Sequence, residues 1–200
     1  MKAANIPSRS YALSQPAADP SGVDNINMDL LVRVNDEFLN SEKERGYVVK
    51  EFLGKGVFGQ VFLVEEKQGG KSYAAKVIKS DPNLYEYTMQ CEVKTLTVLN
   101  KFERAIKNKK TEVPLLSQGD LSESRIVRMR DFFKHKGHMV MIFEKLSMSL
   151  YDLLRVVEFH GLTLNLIRTL SRYMVEALLV MKLQRYTHCD LKPENIMLVE

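Results

Sequence analysis

Cysteine is almost missing from this sequence. Cys91 and Cys189 are the two among 200 residues, too few for a disulfide framework, so a reducing compartment is expected. The first residues carry no apolar h-region of the roughly 7–15 residues that a secretory signal needs. No stretch approaches the about 20 consecutive apolar residues of a membrane-crossing helix. These absences predict a soluble intracellular chain of the cytoplasm or nucleus, with no membrane partner. Excess charge is also small. A formal net charge of +4 hints at acidic partners and gives no ground for direct nucleic-acid binding. Metal-ligand clusters are missing too: His135 and His138 stand near each other with no cysteine or acidic cluster beside them, which does not make a metal site. What remains is a globular composition, 45% hydrophobic and 27% charged, with enough residues for one or two cores.

What is present is concentrated at the end of the chain, in His188-Cys189-Asp190-Leu191-Lys192-Pro193-Glu194-Asn195-Ile196-Met197-Leu198-Val199. Pro193 argues against a helix interior, because proline lacks the N–H and clashes with the preceding turn. The stretch therefore reads as a loop feeding a short strand. It aims an acid, Asp190, a cation, Lys192, and an amide, Asn195, at one place. Phosphoryl transfer needs such a trio: a carboxylate for the proton of the attacking hydroxyl, a cation for the moving phosphoryl group, and an amide oxygen for a metal.

Further upstream, Gly54-Lys55-Gly56-Val57-Phe58-Gly59 lies between two β-rich runs, 47–53 and 60–65. A hairpin tip with so little side-chain bulk lets backbone N–H groups approach a phosphate. Three glycines in this spacing are weak by themselves, so the rivals matter. A dinucleotide-binding fold needs the last glycine to open a helix, with an acid about 20 residues on. Here it opens a strand, and the window from Lys67 to Ser80 holds lysines and no acid. A Walker A loop needs Gly-Lys followed by Ser or Thr, whereas Gly59 precedes Gln60-Val61. A structural hairpin turn stays open as a reading.

Residues 72–78 predict the next strand, with Lys76 inside an apolar stretch and in want of a partner. An outward-facing lysine on a half-exposed strand is the other reading. From about 83 to 102 the chain predicts a helix, with Met89, Val93 and Leu96 at helical spacing. Glu92 lies on an adjoining stripe, and spacing alone serves equally for a surface glutamate and for a partner of Lys76. Residues 101–119 read as a long, basic, exposed connection. Strands are expected over 126–133 and 138–144, and a helix over 149–157. A core helix capped by Thr163 is expected to run to about 185, its stripe formed by Leu166, Leu170, Met174, Leu178 and Met181. Residues 1–28 are expected to be a disordered tail, and 29–40 to hold a strand closed by a turn at Asn35-Asp36.

Taken together, the order of these motifs resembles the eukaryotic protein kinases. The final loop resembles their catalytic loop, H-R-D-x-x-x-x-N, with Cys189 at the arginine position, and the glycine stretch resembles G-x-G-x-x-G-x-V. The run Phe143-Glu144-Lys145-Leu146-Ser147-Met148-Ser149-Leu150-Tyr151-Asp152-Leu153-Leu154 and the HCDLKPENI loop resemble the dual-specificity tyrosine-regulated kinases, nearest their Yak branch. The homeodomain-interacting kinases are close. Residues 29–45 resemble the accessory segment of the first family. The resemblance implies an α+β, protein-kinase-like fold over 46–200. Its N-terminal lobe, an antiparallel sheet plus one helix, is complete over 46–144, and the first part of a helical C-terminal lobe covers 147–200.

The resemblance also implies roles. Gly54, Gly56 and Gly59, with Lys55, Val57 and Phe58 between them, cover the phosphates of ATP. Leu53, Val61, Ala74 and Met197 sandwich the adenine. Phe143 backs the pocket, and the backbone around Glu144 and Leu146 meets the adenine edge. Lys76 and Glu92 form an ion pair, Asp190 accepts the substrate's proton, Lys192 neutralises the γ-phosphate, and Asn195 holds Mg²⁺. The partners implied are ATP and protein substrates bearing serine or threonine, with tyrosine autophosphorylation. Cys189 removes the side chain that usually grips a phosphorylated activation loop, a departure those families share. No Asp-Phe-Gly occurs in the 200 residues. A fragment or truncated product is therefore expected, with little or no transferase activity by itself. A catalytically dead interaction module is the alternative, though a retired site has no physical need of Lys76, Asp190 and Asn195.

Overall fold

The computed structural model describes residues 22–108 and 125–199. The chain divides into two compact units, Met1–Glu86 with Asp131–Ile142, and Tyr87–Arg130 with Phe143–Glu200.

The first unit is built on a six-stranded sheet. Its strands are β1 (Glu37–Asn40), β2 (Arg45–Lys55), β3 (Gly59–Glu66), β4 (Ser72–Ile78), β5 (Met129–His135) and β6 (His138–Glu144), in the order β1-β2-β3-β4-β6-β5. Strands β1 to β4 are consecutive antiparallel neighbours. Period-two patterning explains which face is buried. In β4, Tyr73, Ala75 and Val77 enter the core, whereas Ala74 and Lys76 are half-buried on the other face. Phe62 and Val64 of β3 join the core face. Each such large side chain contributes about 1.5–3 kcal/mol by leaving water. The face left over is the one that carries the phosphate-site candidates. Two register shifts in β2, between Val49 and Glu51 and between Phe52 and Gly54, bend the strand as it enters the glycine loop.

The polar side of this unit centres on Asp131. Its fully buried carboxylate receives Lys43 Nζ at 2.5 Å, Asn40 Nδ2 at 2.9 Å and the Tyr47 hydroxyl at 3.3 Å. Burial, and then the negative Asp131, push the Tyr47 hydroxyl up to about 12.

The second unit is helical. α1 (Pro82–Tyr87), at the end of the first unit, runs into a π-helical turn, Thr88–Val93, and then α2 (Lys94–Lys107). Buried Asn100 ties α2 to the start of β5: its Oδ1 accepts from Met129 N at 3.0 Å, and its Nδ2 donates to Val127 O at 3.1 Å. α3 (Leu150–Val156) starts in a capping box, in which Ser149 and Asp152 satisfy each other's backbone N–H. α4 (Leu164–Leu183) starts at Thr163, whose side chain accepts from Leu166 N. No helix of the described residues is long and apolar enough to cross a membrane.

Several expectations are corrected. The apolar run 29–34 forms one isolated bridge, Asp24 with Leu30, and strand β1 begins after the Asn35-Asp36 turn rather than before it. Asn35 takes a left-handed φ of 72°, a conformation asparagine tolerates, so the turn launches the strand. The tail expected over 1–28 lies outside the described residues as far as 21. Residues 22–28 form a turn in which Asn25 is buried while Ile26 and Met28 are exposed. The helix expected over 83–102 runs from Pro82 to Lys107 with the π turn inside it, so the basic connection does not begin at 101, and its residues 109–119 lie outside the described residues. Charged Glu103, Arg104 and Lys107 read as loop but are good helix formers, with Arg104 and Lys107 exposed and Glu103 half-buried. The stripe of α4 is not a core stripe: Glu176 and Val180 are the helix's buried residues, and Leu166 and Leu178 stay exposed. The buried Glu176 is held by polar contacts. Glu176 takes Arg125 Nε at 2.9 Å and Arg172 Nε at 3.4 Å.

Candidate active site

In the first unit, strand pairing brings the phosphate-site candidates into one row. Gly54 stands opposite Val61, and Val61 stands opposite Lys76 on the next strand. Leu63 stands opposite Ala74, so Val61, Ala74 and Lys76 share the face away from the core. The loop between β2 and β3 is closed by Gly56 N donating to Gly59 O at 2.9 Å, and Lys79 N donates to Phe58 O at 3.1 Å. Leu53, Val57 and Phe58 are exposed.

The glycines of the loop differ. A Cβ at Gly59 would lie 2.0 Å from the Val77 carbonyl oxygen, whereas one at Gly54 or Gly56 would meet nothing within 4 Å. Packing therefore requires glycine at 59 and leaves open space at 54 and 56. That space is of the kind a phosphate group needs if it is to reach backbone N–H groups.

In the second unit, the final loop brings its acid, cation and amide together. Lys192 Nζ lies 2.8 Å from Asp190 Oδ2. Asn195 Nδ2 donates to the same oxygen at 2.9 Å and to the Asp190 carbonyl at 2.8 Å. The bond from Lys192, and then that from Asn195, hold the Asp190 carboxyl below its usual range. The reciprocal bond raises the Lys192 ammonium. The loop takes this shape for local reasons. Pro193 starts a short 3-10 turn, Pro193–Asn195, where its missing N–H costs nothing. Cys189 adopts a left-handed φ of 65°. Asp190 N donates to His188 Nδ1 at 3.3 Å. Downstream, Leu150 N donates to Ile196 O at 2.7 Å, Ser147 N to Leu198 O at 2.8 Å and Leu198 N to Met148 O at 2.9 Å. Met197 is thereby paired with Ser149, and its side chain is exposed.

The other candidates are also in the second unit. Glu92 lies in the π-helical turn and is half-buried. Phe143, Glu144 and Leu146 are half-buried at the end of β6 and just after it. Glu144 is engaged through both its parts: its Oε1 accepts from Arg128 N at 2.8 Å, and its own N donates to Arg128 O at 3.1 Å. Sequence reasoning missed Asp29, whose carboxylate meets the loop lysine, Lys55. Nothing in the spacing pointed to it, since the two stand 26 positions apart.

The donor set suits the groups that the resemblance implies. Both amide hydrogens of Asn195 are used by Asp190, which leaves Oδ1 as a neutral hard oxygen of the type Mg²⁺ takes. The open space at Gly54 and Gly56 suits the phosphates of ATP. Among the described residues no group of three or more His, Cys, Asp or Glu clusters as a metal cage.

Comparison with known proteins gives a consistent result. A family model described as "Protein kinase domain" matches residues 47–200. The chain is similar to the "Dual specificity protein kinase YAK1 homolog" of Arabidopsis thaliana, 36% identical over 193 residues, which covers 96% of this chain and 18% of that protein. It is 40% identical over 180 residues to the "Dual specificity protein kinase YAK1" of Saccharomyces cerevisiae, covering 89% of this chain and 20% of the relative. The "Homeodomain-interacting protein kinase 1" of Caenorhabditis elegans is 38% identical over 167 residues, 84% of this chain and 18% of its own. The chain thus spans about a fifth of the length of these curated relatives.

Proposed function

The chain belongs to the protein kinase domain family, and from that premise we propose that the protein transfers the γ-phosphoryl group of ATP, with Mg²⁺, to serine and threonine hydroxyls of protein substrates and to its own tyrosine. The observation that carries this reading is the meeting of Lys192 Nζ and Asn195 Nδ2 on one carboxylate oxygen of Asp190. That carboxylate is kept ionised and fixed in direction, as a base must be if it is to accept a hydroxyl proton.

The proposed division of labour follows the resemblance to protein kinases. Bound MgATP supplies the electrophilic phosphorus and much of the charge neutralisation. The loop at Gly54, Lys55, Gly56, Val57, Phe58 and Gly59 orders its backbone N–H groups over the phosphates. Leu53, Val61, Ala74 and Met197 supply apolar surface for the adenine, Phe143 backs its pocket, and the chain around Glu144 and Leu146 offers backbone polar groups to its edge. Lys76 holds the α- and β-phosphates, with Glu92 as the acid that the resemblance assigns to it. Asp190 orients the substrate hydroxyl and accepts its proton, Lys192 offsets charge on the moving group, and Asn195 Oδ1 holds the metal. On the same reading the protein works in the cytoplasm or nucleus, where its exposed cysteines, Cys91 and Cys189, stay reduced.

The test is phosphotransfer to a serine-containing protein by the full-length protein, wild type against Asp190→Asn. A loss of about 100-fold or more is expected for a lost general base with intact folding. Equal rates would remove Asp190 from the chemistry. Residues 1–200 in isolation are expected to show no turnover, because they include no Asp-Phe-Gly carboxylate for the second metal contact. Measurable turnover would contradict that.

A further inference from the structure

Lys55 is the one side chain of length between the two unconstrained glycines of the loop, and its ammonium does not point to open solvent. Its Nζ lies 2.5 Å from Asp29 Oδ2. The Asp29 side chain is wholly buried, and that of Lys55 is 40% exposed. The second carboxylate oxygen, Asp29 Oδ1, is buried and has no hydrogen-bond partner among the described residues. An ionised carboxylate in that position depends on its cation, since swinging the lysine away leaves a buried charge unpaired. The contact is therefore a committed one.

Asp29 is itself held in place. Asn25 Oδ1 accepts from Asp29 N at 3.1 Å and from Asn27 N at 2.8 Å, and Asn25 Nδ2 donates to Asp29 Oδ2 at 3.3 Å. This turn is fastened to the end of β4. Ser80 N donates to Met28 O at 3.0 Å, and the Ser80 hydroxyl donates to Asp24 Oδ2 at 2.5 Å. Buried His138 bridges Asp24 Oδ1 and the Ile78 carbonyl, each at 2.7 Å. Lys79, between Ile78 and Ser80, holds the loop tip through Phe58 O. Residues 78–80 thus anchor the loop tip and the Asp29 turn together, and Lys55 joins the turn back to the loop.

We infer that Asp29 is a positioning residue for the nucleotide: through Lys55 it pre-orders the glycine loop that covers the phosphates. The inference rests on the kinase reading above. Glycine loses more backbone freedom on ordering than any other residue, and ordering the loop at the moment of binding weakens affinity. A tether between Gly54 and Gly56 lowers that cost in advance. It also commits the Lys55 charge to Asp29 rather than to the phosphates.

The experiment measures MgATP and adenosine affinity by calorimetry on the full chain, in wild type, Asp29→Asn, Lys55→Met, the double variant and Lys55→Arg, with melting curves to establish folding. The tether acts on phosphate contacts. MgATP affinity is expected to fall about 5-fold in Asp29→Asn and Lys55→Met, and the double variant to be no worse than either. Adenosine affinity is expected to hold within about 2-fold, and Lys55→Arg to recover most of the loss. Unchanged MgATP affinity in folded Asp29→Asn or Lys55→Met overturns the inference. So does an equal loss for adenosine, which marks a merely structural role. Should Asp29→Asn not fold, Lys55→Met against Lys55→Arg decides between the same outcomes. Wild type that binds no MgATP overturns the kinase reading itself, before any variant is compared.

Discussion

Gly59 and Gly56 belong to the same glycine loop, the candidate phosphate site, and the structure predicts that they fail in opposite ways when replaced. A Cβ at Gly59 meets Val77 O at 2.0 Å, Val77 C at 2.9 Å and Ile78 Cα at 3.0 Å. All three are backbone atoms, so no side-chain rotation relieves the contact. Strand β3 has to move from β4 by about 1 Å, against the close packing of the interior. The move strains the Gly59–Ile78 and Gln60–Val77 pairs. Two ladder hydrogen bonds at about 1 kcal/mol each, plus about 1 kcal/mol of backbone strain, are offset by under 1 kcal/mol of lost glycine entropy in the unfolded chain. Gly59→Ala is therefore expected to cost about 2–3 kcal/mol. At Gly56 the added methyl meets nothing, so Gly56→Ala is expected to change stability by about 0.5 kcal/mol or less while weakening MgATP. The chain contains no tryptophan, so urea unfolding is followed by far-UV circular dichroism, and nucleotide affinity by calorimetry. Gly59→Ala as stable as wild type would show that β3 and β4 do not approach as described. Gly56→Ala losing stability as Gly59→Ala does would refute the separation of packing from binding.

Other consequences can be measured on the same preparations. Asp131→Ala leaves Lys43 without its carboxylate and Asn40 and Tyr47 without their acceptor. It is expected to cost about 3–5 kcal/mol, read as a lower urea midpoint; a midpoint near wild type would show that the network is replaceable by water. Tyr47 is raised from 10.0 to about 12 by burial and then Asp131. Its contribution is therefore present below pH 10 and is lost as pH rises from there to about 12. Alkaline unfolding in that window should weaken in Tyr47→Phe, and an identical alkaline limb would refute the assignment. The Asp190 carboxyl is lowered by Lys192 and then Asn195, so its pairing is intact at neutral pH and is lost as pH falls through the lowered value. Carbon-13 titration should find its midpoint below the usual carboxylate range in wild type and closer to that range in Lys192→Met; the same midpoint in both would deny the pairing. Ser149→Ala removes one arm of the α3 capping box and is expected to cost about 1 kcal/mol. An unchanged unfolding midpoint would show that water replaces the cap.

Sequence reasoning succeeded where one physical cause acts over a few residues. The run 72–78, read as a strand from its composition, is β4, Ser72–Ile78. Thr163, read as a cap, starts α4, because a hydroxyl one turn from an unpaired N–H needs no tertiary help, and the helix expected over 149–157 begins after Ser149. It failed where the cause lies elsewhere in the chain. The π turn at Thr88–Val93 leaves no compositional mark. The stripe of α4 has the spacing of a core helix, yet its buried positions include Glu176, set by Arg125 fifty-one positions away. A hydrophobic period states which side chains share a face, not what covers that face.

The site shows the same division at a finer scale. Asp190, Lys192 and Asn195 make contacts of two and five positions in sequence, so a fixed loop shape converts spacing directly into geometry, and the motif is readable without the fold. The glycine loop is only half readable. Its glycines announce a bare backbone, but which of them serves packing depends on how closely β4 passes Gly59. Which charge holds the loop depends on Asp29, at the edge of the stretch that composition assigns to the tail. An acid at the border between a polar tail and an apolar run looks like solvent-exposed surface until its carboxylate is found wholly buried against Lys55. Burial of a charge is a property of the fold, and its partner is then demanded by electrostatics rather than suggested by pattern. Motif spacing therefore singles out the candidate groups for chemistry, whereas the groups that hold those motifs in place emerge only from the buried charges around them.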